Sequence, residues 1–245
     1  MDQEHTEGNF GGQITTGIEQ YTLVLRTISF VRRKLPAWRD DPDRPAEQAE
    51  DKLNLQLCKF LDSSARNDFP MVRFDHEEYQ SDNRRIDLSA STVESTIIGA
   101  SLHTIYDPIL VFECKRLPAP SQNREKEYVT GGEKSISGGI QRFKLGLHGA
   151  NLNLAAMIAY VQERSASDWH HEINGWISAL CSGVMRDGCV WNEGETLEAL
   201  EEDVSEGVTN CRSVHRRTGS RSSSEIEIHH LWIIMNVRHM LNAYE

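Results

Sequence analysis

No stretch of this 245-residue chain approaches the roughly 20 consecutive apolar residues needed to cross a bilayer, so no membrane-spanning helix is expected. A basic excess is missing as well. Asp and Glu number 37 against 26 Lys and Arg, for a formal net charge of −11. Proteins that hold nucleic acid by their surface field alone carry the opposite balance. Contact with a polyanion must then come from local basic patches, a bound divalent metal or a partner subunit. Cys58, Cys114, Cys181, Cys189 and Cys211 are odd in number and widely spread. They form no CxxC, and the ten histidines form no HxxxH, which argues against structural zinc and for reduced thiols in a cytoplasmic setting. The doublets His170–His171 and His229–His230 each suggest one exposed and one packed ring. No GxSxG elbow supports an α/β-hydrolase, and no internal repeat marks a solenoid or propeller. The acidic start MDQEHTEGNFGG resembles neither a signal nor a transit peptide.

What remains is ordinary globular composition, 38% hydrophobic and 26% charged. The length suits one sizeable core, so we expect a tail over 1–20 and a single domain over 21–245. Val24, Ile28, Val31 and Leu35 recur at helical spacing, predicting a helix that stops before Pro36. A Pro-rich acidic connector leads to a second amphipathic helix with Leu53, Leu57, Phe60 and Leu61 on one side. MVRFDHEEY and RRIDLSAS predict two strands joined at the turn sequence QSDN. Residues 118–139 are polar and punctuated by glycine, suggesting a long loop or lid that contains Tyr128. Ile140, Phe143 and Leu147 predict a short helix ending at Gly149. NLNLAAMIAYV suggests a buried strand, and SDWHHEINGWISALCSGV a helix behind a Ser/Asp cap, its apolar face running from Trp169 to Val184. Eight acidic residues and no Lys or Arg lie between Arg186 and Arg212, predicting a solvated acidic helix. A strand at CRSVHRR, a Ser-rich loop and a strand at EIEIHHLWIIM complete the chain. Helices and strands interleave throughout, so the fold class is mixed α/β with one central sheet.

One segment departs from this pattern. ILVFECKRL, Ile109 to Leu117, begins as a core strand and then places Glu113 and Lys115 directly after its apolar run. Side chains alternate across a strand, so both charges share a face with Ile109 and Val111, while Cys114 points to the other side and packs. Burying an ion without a partner is costly. Two arrangements satisfy that constraint. In one, Glu113 and Lys115 form an internal ion pair that only holds the fold together. In the other, the carboxylate binds a cation and the ammonium an anion.

Asp87 stands in RRIDL on a predicted strand, and Glu113-Cys114-Lys115 follows 26 positions later at the end of another. An Asp on one strand and Glu-x-Lys on its neighbour resemble the PD-(D/E)xK, or restriction-endonuclease-like, nucleases. The resemblance covers roughly 47–161, with 162–245 as a C-terminal elaboration and the first helix as an N-terminal addition. No proline precedes Asp87, a departure at the loosest point of the family pattern. The resemblance implies a central mixed sheet flanked by helices and Mg²⁺-dependent hydrolysis of DNA, with Mn²⁺ able to substitute. It implies Asp87, Glu113, Lys115 and Gln141 as catalytic residues. Asp87, Glu113, the Cys114 carbonyl and Glu50 would hold metal, with Glu47 as the second choice for the helix carboxylate. Arg116, Arg142 and Lys144 would contact nucleic acid. The basic set Arg212, Arg216, Arg217 and Arg221 is a weaker candidate for gripping backbone, and His215 and His230 are read as structural. The pattern also looks like nucleases of bacterial restriction or phage-defence systems, which implies an ATPase or sensor partner, or self-association. The alternative is a catalytically inactive subunit of the same fold with a structural or nucleic-acid-positioning role.

Overall fold

In a computed structural model, described over residues 20–79, 84–98, 101–218 and 224–236, two helical layers enclose a seven-stranded mixed sheet. Helix α1, Gln20–Arg39, and α2, Glu50–Asp68, precede the hairpin of β1, Val72–Tyr79, and β2, Arg85–Thr92. A two-stranded ribbon follows, β3 (Thr96–Ile98) with β4 (Ser101–His103), and then β5, Pro108–Leu117. Helix α3, Gly139–Lys144, leads into β6, Leu154–Val161, and α4, Ala166–Cys181, covers the sheet. Strands β7 (Glu201–Asp203), β8 (Val208–Arg216) and β9 (Glu225–Ile234) complete it in the order β1-β2-β5-β6-β9-β8-β7. The central strands β5, β6 and β9 run parallel, and antiparallel pairs flank them on each side.

The central strands are apolar on both faces, as a sheet covered by helices requires. All eight residues of β6 are buried. On one face Leu110, Phe112, Ile158 and Tyr160 pack under Leu23, Val31 and Leu35 of α1 and Leu53, Leu57 and Leu61 of α2. On the other, Val111, Met157, Ala159 and Trp232 pack under Phe143 of α3 and Trp169, Ile173 and Ile177 of α4. Burying one such Leu or Phe stabilises by about 1.5–3 kcal/mol, so both layers are tied firmly to the strands between them.

Several boundaries differ from expectation, each for a visible reason. Helix α1 continues through Pro36 to Arg39. Its last turn is held because Trp38 is buried and the Arg39 guanidinium donates to the carbonyls of Glu206 and Ile234. Helix α3 ends at Lys144 because Gly146 takes a positive φ of 63°, which an L side chain rarely adopts. Ser165 caps α4 through a reciprocal bond pair with Asp168, and the helix ends at Cys181, leaving Val184 exposed.

The acidic run forms no helix. It makes a 3-10 turn at Glu193–Glu195 and the edge strand β7, because Trp191, Glu195 and Leu197 turn inward at a spacing that fits no helical stripe. Within the expected loop or lid, residues Gln122–Tyr128 form a 3-10 helix, and Tyr128 packs in the core beside His230 and Trp232. Residues 1–19 of the expected N-terminal tail, the whole QSDN turn, Arg221 and most of the Ser-rich loop lie outside the described residues.

Candidate active site

The site begins where two strands part. The β2–β5 ladder runs as far as Leu88 opposite Phe112. One step beyond, Asp87 stands opposite Glu113, and opposed residues of an antiparallel pair share a face. The freed backbone is capped by carboxylates. Cys114 N–H donates to Asp87 Oδ2 at 2.7 Å and Arg116 N–H to Glu50 Oε2 at 3.0 Å. The N–H and C=O of one strand residue point toward the same edge, so the Cys114 carbonyl also faces this fork. Its side chain lies in the core on the opposite face, where burial pushes the thiol well above its usual range.

Glu113 is fully buried, and three basic groups surround it. Its Oε1 lies 3.1 Å from Lys115 Nζ and 2.5 Å from Arg142 Nη1. His148 Nδ1 donates to Oε2 at 2.9 Å. Lys115 also lies 3.5 Å from Glu50 Oε1. Burial opposes ionisation of Glu113, but Lys115, His148 and Arg142 outweigh it and hold the carboxyl well below its usual range. Burial likewise disfavours a charged Lys115, yet Glu113, Asp87 and Glu50 keep it protonated and raise its pKa. Asp87 behaves oppositely. Burial first, then the neighbouring Glu113 charge, pushes its carboxyl up to about 7 against the opposing pull of Lys115 and the Cys114 N–H.

Asp87, Glu113, Lys115, Glu50 and Arg142 therefore converge at the fork, drawn from α2, β2, β5 and α3. Other expected members do not join them. Gln141 is buried, but its Oε1 accepts from the Gly131 and Gly138 N–H groups and its Nε2 donates to the Asp187 carbonyl. That engagement fixes the neck of the 131–137 loop, and the amide is not turned toward the carboxylates. Lys144 requires a clear correction. It is fully buried in an ion pair with Glu195, donates to the Arg216 carbonyl and lies over the Trp191 ring, so no surface ligand reaches it. Arg116 directs its guanidinium to Gln162 Oε1. Glu47 lines an open groove beside Trp38 and Arg44. Arg217 is buried and clamps the Gly149 and Leu152 carbonyls, while Arg212 pairs with Glu198. His215 and His230 are buried with Ser213 between them in a polar chain that continues to Glu195 and Lys144.

No family model, curated protein or solved structure matches the chain.

The residue that sequence reasoning missed is His148. It follows α3 in the segment Gly146-Leu147-His148-Gly149, and the turn at Gly146 brings it beneath Glu113. A histidine between glycines just beyond a site-bearing helix was the available signal.

The residues suit a hard divalent cation in type. Asp87, Glu113 and the Cys114 carbonyl offer oxygen donors, and Mg²⁺ is commonly held by one or two carboxylates with the rest water. Asp87 Oδ1 accepts no hydrogen bond among the described residues. Set against this, no group of three or more His, Cys, Asp or Glu among the described residues is arranged to hold a metal. Both oxygens of Glu113 already face basic groups.

Proposed function

We propose that the chain is a metal-dependent nuclease that hydrolyses phosphodiester bonds of DNA. The observation that carries this reading is the meeting of Asp87, Glu113 and Lys115 at one parted strand edge, with Asp87 driven toward its protonated form by burial and by Glu113. A buried carboxylate and a half-buried one that disfavour each other's charge gain from a shared cation. Mg²⁺ held by Asp87, Glu113 and the Cys114 carbonyl would supply an activated water and neutralise charge on the phosphoryl group. Lys115, kept protonated by its three carboxylate neighbours, stabilises the developing negative charge. Arg142, partly exposed on a short helix, reaches a non-bridging oxygen. The resemblance extends the proposal to an effector subunit of a restriction or phage-defence assembly, controlled by a partner ATPase or sensor.

A second reading has its own observation. Glu113 and Lys115 pair at 3.1 Å, and Arg142 and His148 complete the shell, as a retired site serving the fold would do. Plasmid nicking in Mg²⁺ or Mn²⁺ separates the two. The nuclease predicts metal-dependent nicks that Glu113→Gln and Lys115→Met both abolish. No nicking, together with no calorimetric Mn²⁺ binding, leaves the inactive subunit.

A further inference from the structure

The two oxygens of Glu113 are held in different ways. Oε2 meets His148, whose side chain is 1% exposed and locked behind the turn that ends α3. Oε1 is shared by Lys115 and Arg142, with side chains 8% and 23% exposed. With two basic groups already on one oxygen, a divalent cation could be added only against their repulsion. One of them has to leave. Lys115 is buried on the strand itself and held by Glu50 as well. Arg142 has the better exit, because its Nε already donates to the Ile136 carbonyl at 3.3 Å, at the exposed tip of the 131–137 loop. Arg84 reaches the same carbonyl at 3.4 Å.

That second anchor, made through Nε while Nη1 still holds Glu113, leaves the guanidinium a point on which to pivot. Gln141 ties Gly131 and Gly138 together, and a Cβ on Gly138 would lie 2.2 Å from Thr130 Cα, so the loop neck closes only with glycine there. The Arg142 guanidinium is also the planar, two-pronged donor that suits a phosphate.

We propose that Arg142 is an exchangeable counter-ion, which masks Glu113 Oε1 in the free protein and gives it up when a phosphate group draws the guanidinium away. The proposal rests on the metal–phosphate reading of Asp87, Glu113 and Lys115. It makes the binding of polyanion and divalent cation mutually reinforcing, and such coupling must be reciprocal.

The test is calorimetric titration of Mn²⁺ into the full chain, with and without a phosphorothioate DNA duplex whose own Mn²⁺ uptake is subtracted. Wild type, Arg142→Gln and Glu113→Gln are compared, with Arg142→Met replacing the Gln variant should that one lose its near-UV circular dichroism. Without duplex, Arg142→Gln is expected to bind Mn²⁺ about tenfold more tightly than wild type, ~1.4 kcal/mol. Duplex is expected to tighten wild type by a similar factor and to leave Arg142→Gln unchanged. Mn²⁺ binding that Glu113→Gln abolishes but Arg142→Gln leaves equal or weaker overturns the gate alone. No Mn²⁺ binding in any of the proteins overturns the gate and the metal site together.

Discussion

Replacing Glu113 with Gln removes the one carboxylate that all three neighbouring basic groups share, at 3.1 Å from Lys115, 2.5 Å from Arg142 and 2.9 Å from His148. Breaking a buried ion pair by removing one partner costs about 3–5 kcal/mol. The lower end applies to this site, because Lys115 keeps Glu50 at 3.5 Å and Arg142 is exposed enough to turn toward water. A loss of ~3 kcal/mol lowers the Tm of a chain of this length by about 6–12 °C. Differential scanning calorimetry in EDTA measures it. Repeating the scan with Mn²⁺ tests the function in the same sample. A ligand at one hundred times its Kd stabilises by about 2.7 kcal/mol, or about 5–11 °C, and that gain should appear in wild type and vanish in Glu113→Gln. A variant within ~0.5 kcal/mol of wild type, the range of an ordinary surface substitution, would refute Glu113 as the buried counter-ion. Equal Mn²⁺ gains in both proteins would place any metal elsewhere.

The Asp87 carboxyl, raised to about 7 by burial and by Glu113, makes a signed prediction. Between an unfolded value of about 3.9 and about 7 the folded form keeps a proton that the unfolded form has released. Asp87 therefore costs stability increasingly as pH rises through that window. Urea midpoints in EDTA at pH ~4.5 and ~7.5, which span most of that window, should converge in Asp87→Asn relative to wild type, and an unchanged slope would contradict the shift. Lys144→Met should cost about 3–5 kcal/mol by stranding Glu195, while leaving the Mn²⁺ affinity of the folded protein unaltered. A stable variant with weakened DNA binding would instead return Lys144 to the surface role its sequence suggested. Glu195 is held down at about 2; burial opposes this, but His215 and Lys144 outweigh it. Its stabilisation is present above the unfolded carboxylate value and lost as pH falls through about 2, so Lys144→Met should also acid-unfold at higher pH than wild type.

What could be read in the sequence was what local periodicity encodes. Val24, Ile28, Val31 and Leu35 marked the buried face of α1, and the alternation through Ile109–Lys115 put Glu113 and Lys115 on one face of β5, where the structure has them in contact. Residues on one short strand have no freedom to be elsewhere. The misreadings arose where long-range contacts override local pattern. Pro36 looked like a stop, but Arg39 is held from the turn before β8 and from β9, 167 and 195 positions along the chain. The acidic run looked solvated, yet Glu195 is the counter-ion of Lys144 from 51 positions earlier, and the same contact removed Lys144 from the expected nucleic-acid surface.

Residue type alone could not separate the two basic side chains of α3. Arg142 and Lys144 stand two positions apart, yet they face Glu113 and Glu195 respectively. On a helix, two positions turn a side chain through more than half a revolution, so neighbours at this spacing point to different sides. Arg142 reaches Glu113 from the partly exposed side of α3, while Lys144 turns into the core beneath Trp191. A buried lysine whose carboxylate partner is equally enclosed has nowhere to exchange to. Arg142 is partly exposed and has a second anchor, the Ile136 carbonyl, at the loop tip. On the proposed reading, that division makes Arg142 the basic group of α3 placed to pass from a buried carboxylate to an arriving phosphate.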